Sequence, residues 1–280
     1  RLNKDGSQKD TWHVEFDISE SGIAYEVGDS LGVYPVNDPG LVDEIIAALH
    51  APADFPIGGR TLRETLGDGV SLAPAPDMLF QLISYLTGGE RKAKAKTLAA
   101  GQDPDGDAAT LDVLAALQKF DGIRPDPEAF IEALDPLQPR VYSISSSPKI
   151  DAGRVALTVD AVRYEVEKRT RLGVASTFLA VRVKPGDAIR IYVQKAQHFA
   201  LPADPNKPII MIGPGPGLAR RTHPAWSRDA GRNRSDGQKL ASRLRIGGGA
   251  GDAQPDPADG RRTAAPHLAQ SRAHQSGLHT

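Results

Sequence analysis

Apolar residues recur at every second position near the start of the chain, at every third or fourth position after Pro35, and again at every second position from Arg140. A strand cannot use the helical period, nor a helix the period of two, so this double switch divides the chain before any motif is considered. In the first segment Trp12, Val14, Phe16 and Ile18 alternate with His13, Glu15 and Asp17, which predicts a half-buried strand. A turn at residues 19–22 and a second β-like stretch, Tyr25 to Pro35, predict a hairpin with the first strand, bending at Gly28-Asp29. The middle segment predicts a helical insert. Leu41, Val42, Ile45, Ile46 and Leu49 fall on one helical face after Pro39, and residues 78–86, 111–120 and 127–134 show similar spacing. Strand character returns at residues 140–145, 155–162 and 188–193, with a short helix expected over 174–182.

Further on, Pro208 to Ile212 is a continuous apolar run that ends in Gly213-Pro214-Gly215-Pro216-Gly217, the pattern of a buried parallel strand feeding a glycine loop. Residues 220–280 break the pattern: they hold five Leu or Ile, no Val, Phe, Tyr, Met or Glu, and ten Arg to one Lys. Too little apolar surface is available there to offset chain entropy, so a disordered tail foreign to the preceding domain is expected. Charge divides at the same point, with 23 Lys+Arg against 30 Asp+Glu up to residue 219 and 11 against 5 beyond it. A basic tail gives only salt-sensitive attraction to nucleic acid, and one aromatic, Trp226, leaves stacking nearly absent, so no nucleic-acid partner is expected. The 280 residues include no cysteine, which excludes disulfides and thiolate chemistry and agrees with a reducing cytoplasm. No apolar run has the length of a membrane helix, and none is expected. The chain opens on Arg1, which suggests a piece of a longer protein.

Two short motifs carry chemistry. In Arg140-Val141-Tyr142-Ser143 a strand would project Arg140 and Tyr142 to one side, a guanidinium for a pyrophosphate beside a ring for stacking. In Gly173-Val174-Ala175-Ser176 a glycine precedes a helix start, where backbone N–H groups favour an anion. Taken singly, each motif is better explained by a structural role: a core tyrosine with a solvated arginine in the first, an ordinary helix cap in the second.

The order RVYS, then the strand from Ala156 to Tyr164, then GVAS, then GPGPG resembles the FAD-binding part of the ferredoxin-NADP reductase superfamily. The long helical insert is similar to that of the diflavin reductases. The stretches YEVGDSLGVYPVNDP and VRYEVEKRTRLGVASTFLA resemble the NADPH-sulfite reductase flavoprotein branch of that family. The resemblance implies that Arg140 holds the FAD pyrophosphate, that Tyr142 stacks on the flavin ring, and that Ser143 lies near its reacting nitrogen, with Val141 between them. It implies that Thr158, Val159 and Asp160 line the flavin pocket, that Tyr164 touches the cofactor, and that Gly173, Val174, Ala175 and Ser176 bind phosphate. It also implies that Gly213, Gly215 and Gly217 meet NADPH, that FMN sits on a separate flavodoxin-like domain, and that a hemoprotein accepts the electrons.

The fold class expected is α+β: an antiparallel flavin-binding β-barrel over residues 1–204 with a helical insert at about 38–136, the truncated start of an α/β nucleotide-binding domain at 205–219, and the tail. One departure matters. Pro216 stands where the family has threonine, which removes an N–H and a hydroxyl from the loop. Two functions follow: an NADPH-dependent flavoprotein oxidoreductase carrying electrons through FAD and FMN to a hemoprotein, or an FAD-binding fragment unable to accept hydride from NADPH.

Overall fold

The computed structural model describes residues 1–103, 105–106, 110–196, 204, 206–208 and 210. The chain separates into two compact units. Of the described residues, one unit holds those in 1–34, in 141–161 and from 180 onward; the other holds those in 35–140 and 162–179.

In the first unit, strand β1 (Thr11–Asp17) comes early and β2 (Ser30–Val33) follows it. The predicted hairpin between them does not form. β1 instead pairs antiparallel with a strand far along the chain, β6 (Arg154–Asp160), from Thr11↔Asp160 to Asp17↔Arg154. Its period of two set which face is buried and left the partner open. Val14 packs on Leu157 between Val155 and Val159, and all four are buried. β2 is the middle strand of a three-stranded sheet, flanked by β5 (Arg140–Ser143) and β9 (Ile191–Gln194). After β5 the chain changes partner: the Ile144 N–H donates to Asp29 O at 3.2 Å, and the Ser145 N–H donates to Ala156 O at 2.8 Å. Residues 144–145 thus link the two sheets at a corner. The described residues form sheets of two or three strands, and no closed ring of strands is present among them.

Three buried serines build that corner. The Ala156 N–H donates to Ser146 Oγ at 2.9 Å, and the Tyr25 hydroxyl donates to Arg154 O at 2.8 Å. Since Tyr25 spends its only proton there, the 2.7 Å contact between Tyr25 and Ser146 requires the serine to donate. Burial, opposed by this Ser146 bond, raises the Tyr25 pKa. Nearby, buried Asp29 accepts from the N–H groups of Ala196 and Glu26, each at 2.9 Å, and pairs with Lys195 at 3.0 Å. It ties the start of β2 to the end of β9.

The second unit is helical. α1 (Pro39–Leu49) begins at Asp38, whose carboxylate caps the Leu41 N–H, and buries Val42, Ile45, Ile46 and Leu49. The two-residue strands β3 (Pro56–Ile57) and β4 (Arg60–Thr61) lead into α2 (Leu62–Asp68), whose Thr61–Glu64 capping box satisfies donors at its start. α3 (Asp77–Leu86), α4 (Gly89–Ala99), α5 (Val113–Lys119) and α6 (Pro127–Glu132) complete a core centred on Leu79, Phe80, Ile83, Leu114 and Phe130. Buried Asn37 stitches the α2 end to it, donating to Leu66 O and Val70 O. The same unit contains the hairpin of β7 (Arg163–Val166) and β8 (Arg169–Leu172), then α7 (Val174–Thr177); a π-helical turn at Phe178–Arg182 follows in the chain.

Helices and antiparallel pairings together give the α+β class. The nucleotide-binding start expected over 205–219 and the tail at 220–280 fall almost wholly outside the described residues. Among those described, no helix is long and apolar enough to cross a membrane.

Candidate functional site

The RVYS motif is a strand, as its composition predicts. Arg140, Val141 and Ser143 are exposed and Tyr142 is half-buried. Strand alternation sends Arg140 and Tyr142 to one face and Val141 and Ser143 to the other, with Ser143 the last residue of the strand. Arg140 donates from one Nη to Gln138 O at 2.9 Å. A guanidinium has five donors, so most of its capacity faces outward.

Thr158, Val159 and Asp160 lie together on β6 but cannot present their side chains to one ligand. Val159 is buried in the core beside Leu157, whereas Thr158 and Asp160 occupy the opposite face. Asp160 is already engaged: it accepts from Lys9 Nζ at 3.0 Å and from the Asp10 N–H at 3.3 Å, fastening the chain before β1.

Tyr164 stands on β7 opposite Arg171 and is exposed, while the GVAS segment opens α7 two residues beyond Arg171. These two parts are brought together through Val162. The Gly173 N–H donates to Val162 O at 2.9 Å, the Val162 N–H donates to Ser176 Oγ at 3.1 Å, and Ser176 Oγ reaches Gly173 O at 3.3 Å. Ser176 is therefore a buried latch between strand and helix. Gly173 is required by space: a Cβ there would stand 2.6 Å from Ser176 Oγ and 2.9 Å from Val162 Cβ. It caps the helix without a side-chain bond, and the first-turn N–H groups of any helix lack intrahelical acceptors. Gly213, Gly215 and Gly217 lie outside the described residues.

A group of residues next to this segment was not anticipated. Buried Asp112 caps α5 by accepting the Ala115 N–H at 2.8 Å on one oxygen, and its other oxygen takes both Arg169 and Arg171. Arg171 also donates to Thr110 O at 3.1 Å. Burial lowers the pKa of both arginines, opposed for Arg169 by the nearby Glu44. The signal in sequence is the spacing Arg-Thr-Arg, which on a strand aims two guanidinium groups to one side.

Residues 1–178 match the FAD binding domain family, a span that includes both RVYS and GVAS. The chain belongs to the FAD binding domain family. Within it, the chain is 39% identical over 218 residues to the sulfite reductase [NADPH] flavoprotein alpha-component of Photorhabdus laumondii, covering 76% of this chain and 36% of that protein. It is 38% identical over 230 residues to the protein of the same name from Bacillus subtilis, covering 78% and 37%. The chain thus spans little more than a third of the length of these curated relatives. The residues present fit the family's cofactor. Arg140 is exposed and gives one donor to Gln138 O, which leaves others of the kind that grip a pyrophosphate.

Proposed function

We propose that this chain is the FAD-holding module of an NADPH-dependent diflavin oxidoreductase of the sulfite reductase flavoprotein type, working in the cytoplasm. Electrons would pass from NADPH through FAD to FMN on a flavodoxin-like domain, and then to a hemoprotein partner. The observation that carries this reading is the family match across residues 1–178, combined with relatives whose name specifies both NADPH and a flavoprotein.

In this reading Arg140 neutralises the pyrophosphate and Tyr142 offers its ring for stacking on the flavin. Ser143 supplies a hydroxyl beside the reacting edge. Tyr164 contacts the cofactor, and the Gly173–Ser176 segment binds phosphate, with its Gly173 N–H kept on Val162 O and its shape held by the Ser176 latch. The residues of β6 act chiefly through backbone and packing, since Val159 is core and Asp160 is paired. When bound, FAD supplies a centre that accepts two electrons together and releases them one at a time. The chain's own contribution is to orient that centre and to balance its phosphate charge. A closed antiparallel barrel is the proposed frame for these strands, and the corner at Ile144–Ser145 supports it by linking the two sheets.

Calorimetric titration of the flavin-free chain tests the reading. FAD should bind at least about tenfold more tightly than FMN, because a second phosphate adds charge-assisted hydrogen bonds that contribute about 1.5–3 kcal/mol. Equal affinities would refute it.

A further inference from the structure

The second unit contains an ion cluster that none of the roles above uses. Asp112 is buried at the start of α5, one of its carboxylate oxygens is given to the helix cap, and the other takes two arginines at once. Both arginines come from β8, the strand that runs directly into Gly173. Arg171 is bound at two points, by Asp112 and by Thr110 O, yet its Nε is buried without a hydrogen-bond partner among the described residues. A charged group kept buried and incompletely satisfied calls for an explanation beyond stability. Its position supplies one. Arg171 is two residues before Gly173, too few for the chain between them to absorb a shift, and the far side of the segment is fixed by Gly173 to Val162 and Ser176 to Val162.

We propose that Asp112, acting through Arg169 and Arg171, is a positioning residue for the Gly173–Ser176 segment, so that the helical region sets how well this segment receives the phosphates of FAD. The inference rests on the reading of that segment as an FAD phosphate site. It gives the helical region a part in cofactor binding, delivered by one carboxylate at the start of one helix. Asp112 touches no ligand in this scheme. Its effect is transmitted along the strand from Arg171 to Gly173.

A double-mutant cycle on the intact chain tests it, with FAD affinity measured by flavin fluorescence titration and the thermal unfolding midpoint of the flavin-free protein as control. Asp112→Asn retains an oxygen for the helix cap and removes the charge. It should raise the FAD Kd roughly tenfold alone, and less than about twofold in a Gly173→Ala background, because coupled sites are not additive. Arg171→Lys, which keeps a cation but loses the second contact at Thr110, should show the same coupling with a smaller single effect and stands in if Asp112→Asn does not fold. An unchanged Kd in the folded variants, or effects that multiply fully with Gly173→Ala, would overturn the proposal. An unchanged Kd in Gly173→Ala alone would instead overturn the phosphate-site reading, and the proposal with it.

Discussion

Tyr192 lays its ring across the backbone of Gly32: a Cβ on that glycine would stand 2.1 Å from Cε1 and 2.2 Å from Cζ of the ring. The two are cross-strand partners on β2 and β9. The ring also packs against Tyr34 at 5.8 Å between centroids, and Arg190 lies over the Tyr34 ring at 4.9 Å. An absent side chain on β2 thus makes room for an aromatic cluster on the sheet.

Gly32→Ala should therefore destabilise the chain by about 1–3 kcal/mol, the range for forcing volume into a packed site. Urea unfolding measures this. In a Tyr192→Ser background the same substitution should have little effect, because the clashing ring is gone.

Asp29 predicts a pH dependence. Burial alone would raise its carboxyl pKa, but the N–H groups of Ala196 and Glu26 and the Lys195 ammonium outweigh that effect and hold it below its ordinary value. A depressed carboxyl stabilises the fold above the unfolded value of about 4, and that stabilisation is lost as pH falls through the folded value. Unfolding midpoints should fall on acidification below about pH 4. Asp29→Asn should lower stability at neutral pH and flatten that part of the profile; an unchanged profile would assign the acid response to other carboxylates.

The β7–β8 hairpin turns through Glu167 and Lys168 at φ of 48° and 68°, the left-handed region that side chains resist. Two such residues in succession are the signature of a type I′ turn, which favours Asn-Gly. Replacing them together, Glu167→Asn with Lys168→Gly, should stabilise the chain by about 1 kcal/mol. Thermal unfolding of the flavin-free chain will register the gain.

Arg140→Ala should weaken FAD binding by about 1.5–3 kcal/mol, as expected for a lost hydrogen bond to a charged group. Because Arg140 is exposed and among the described residues donates to Gln138 O alone, its removal should leave stability within about 0.5 kcal/mol. Affinity unchanged with stability unchanged would make Arg140 a solvated strand residue.

The helices with strong apolar stripes were legible in the sequence, and those without were not. α1 announced itself through Asp38-Pro39 and its spaced Val, Ile and Leu residues, whereas α4 buries only Ala95 and Leu98 and shows no stripe among its lysines. α2 carried a readable sign in Thr61 and Glu64 that spacing alone passed over. The β7–β8 hairpin was hidden because charged residues fill it and no glycine or asparagine marks its turn. In the candidate site, the strand at RVYS and the helix start at GVAS were legible from their wording. The engagement of Asp160 and the clasp at Asp112 were not, since each depends on pairing between distant residues that local pattern does not encode.

The pairing of Thr11–Asp17 with Arg154–Asp160 also sets an order of assembly. During synthesis β1 emerges ahead of its partner β6 and waits for it until the helices between them have been made, while every residue of the helical core from Val42 to Leu134 is already available. Local contacts close quickly and distant ones slowly, so the helices should collapse while β1 still waits as an open edge. A ribosome that stalls between Leu134 and Arg154 would release a chain with a formed helical core and a strand free to pair with a neighbour, the configuration most prone to aggregation.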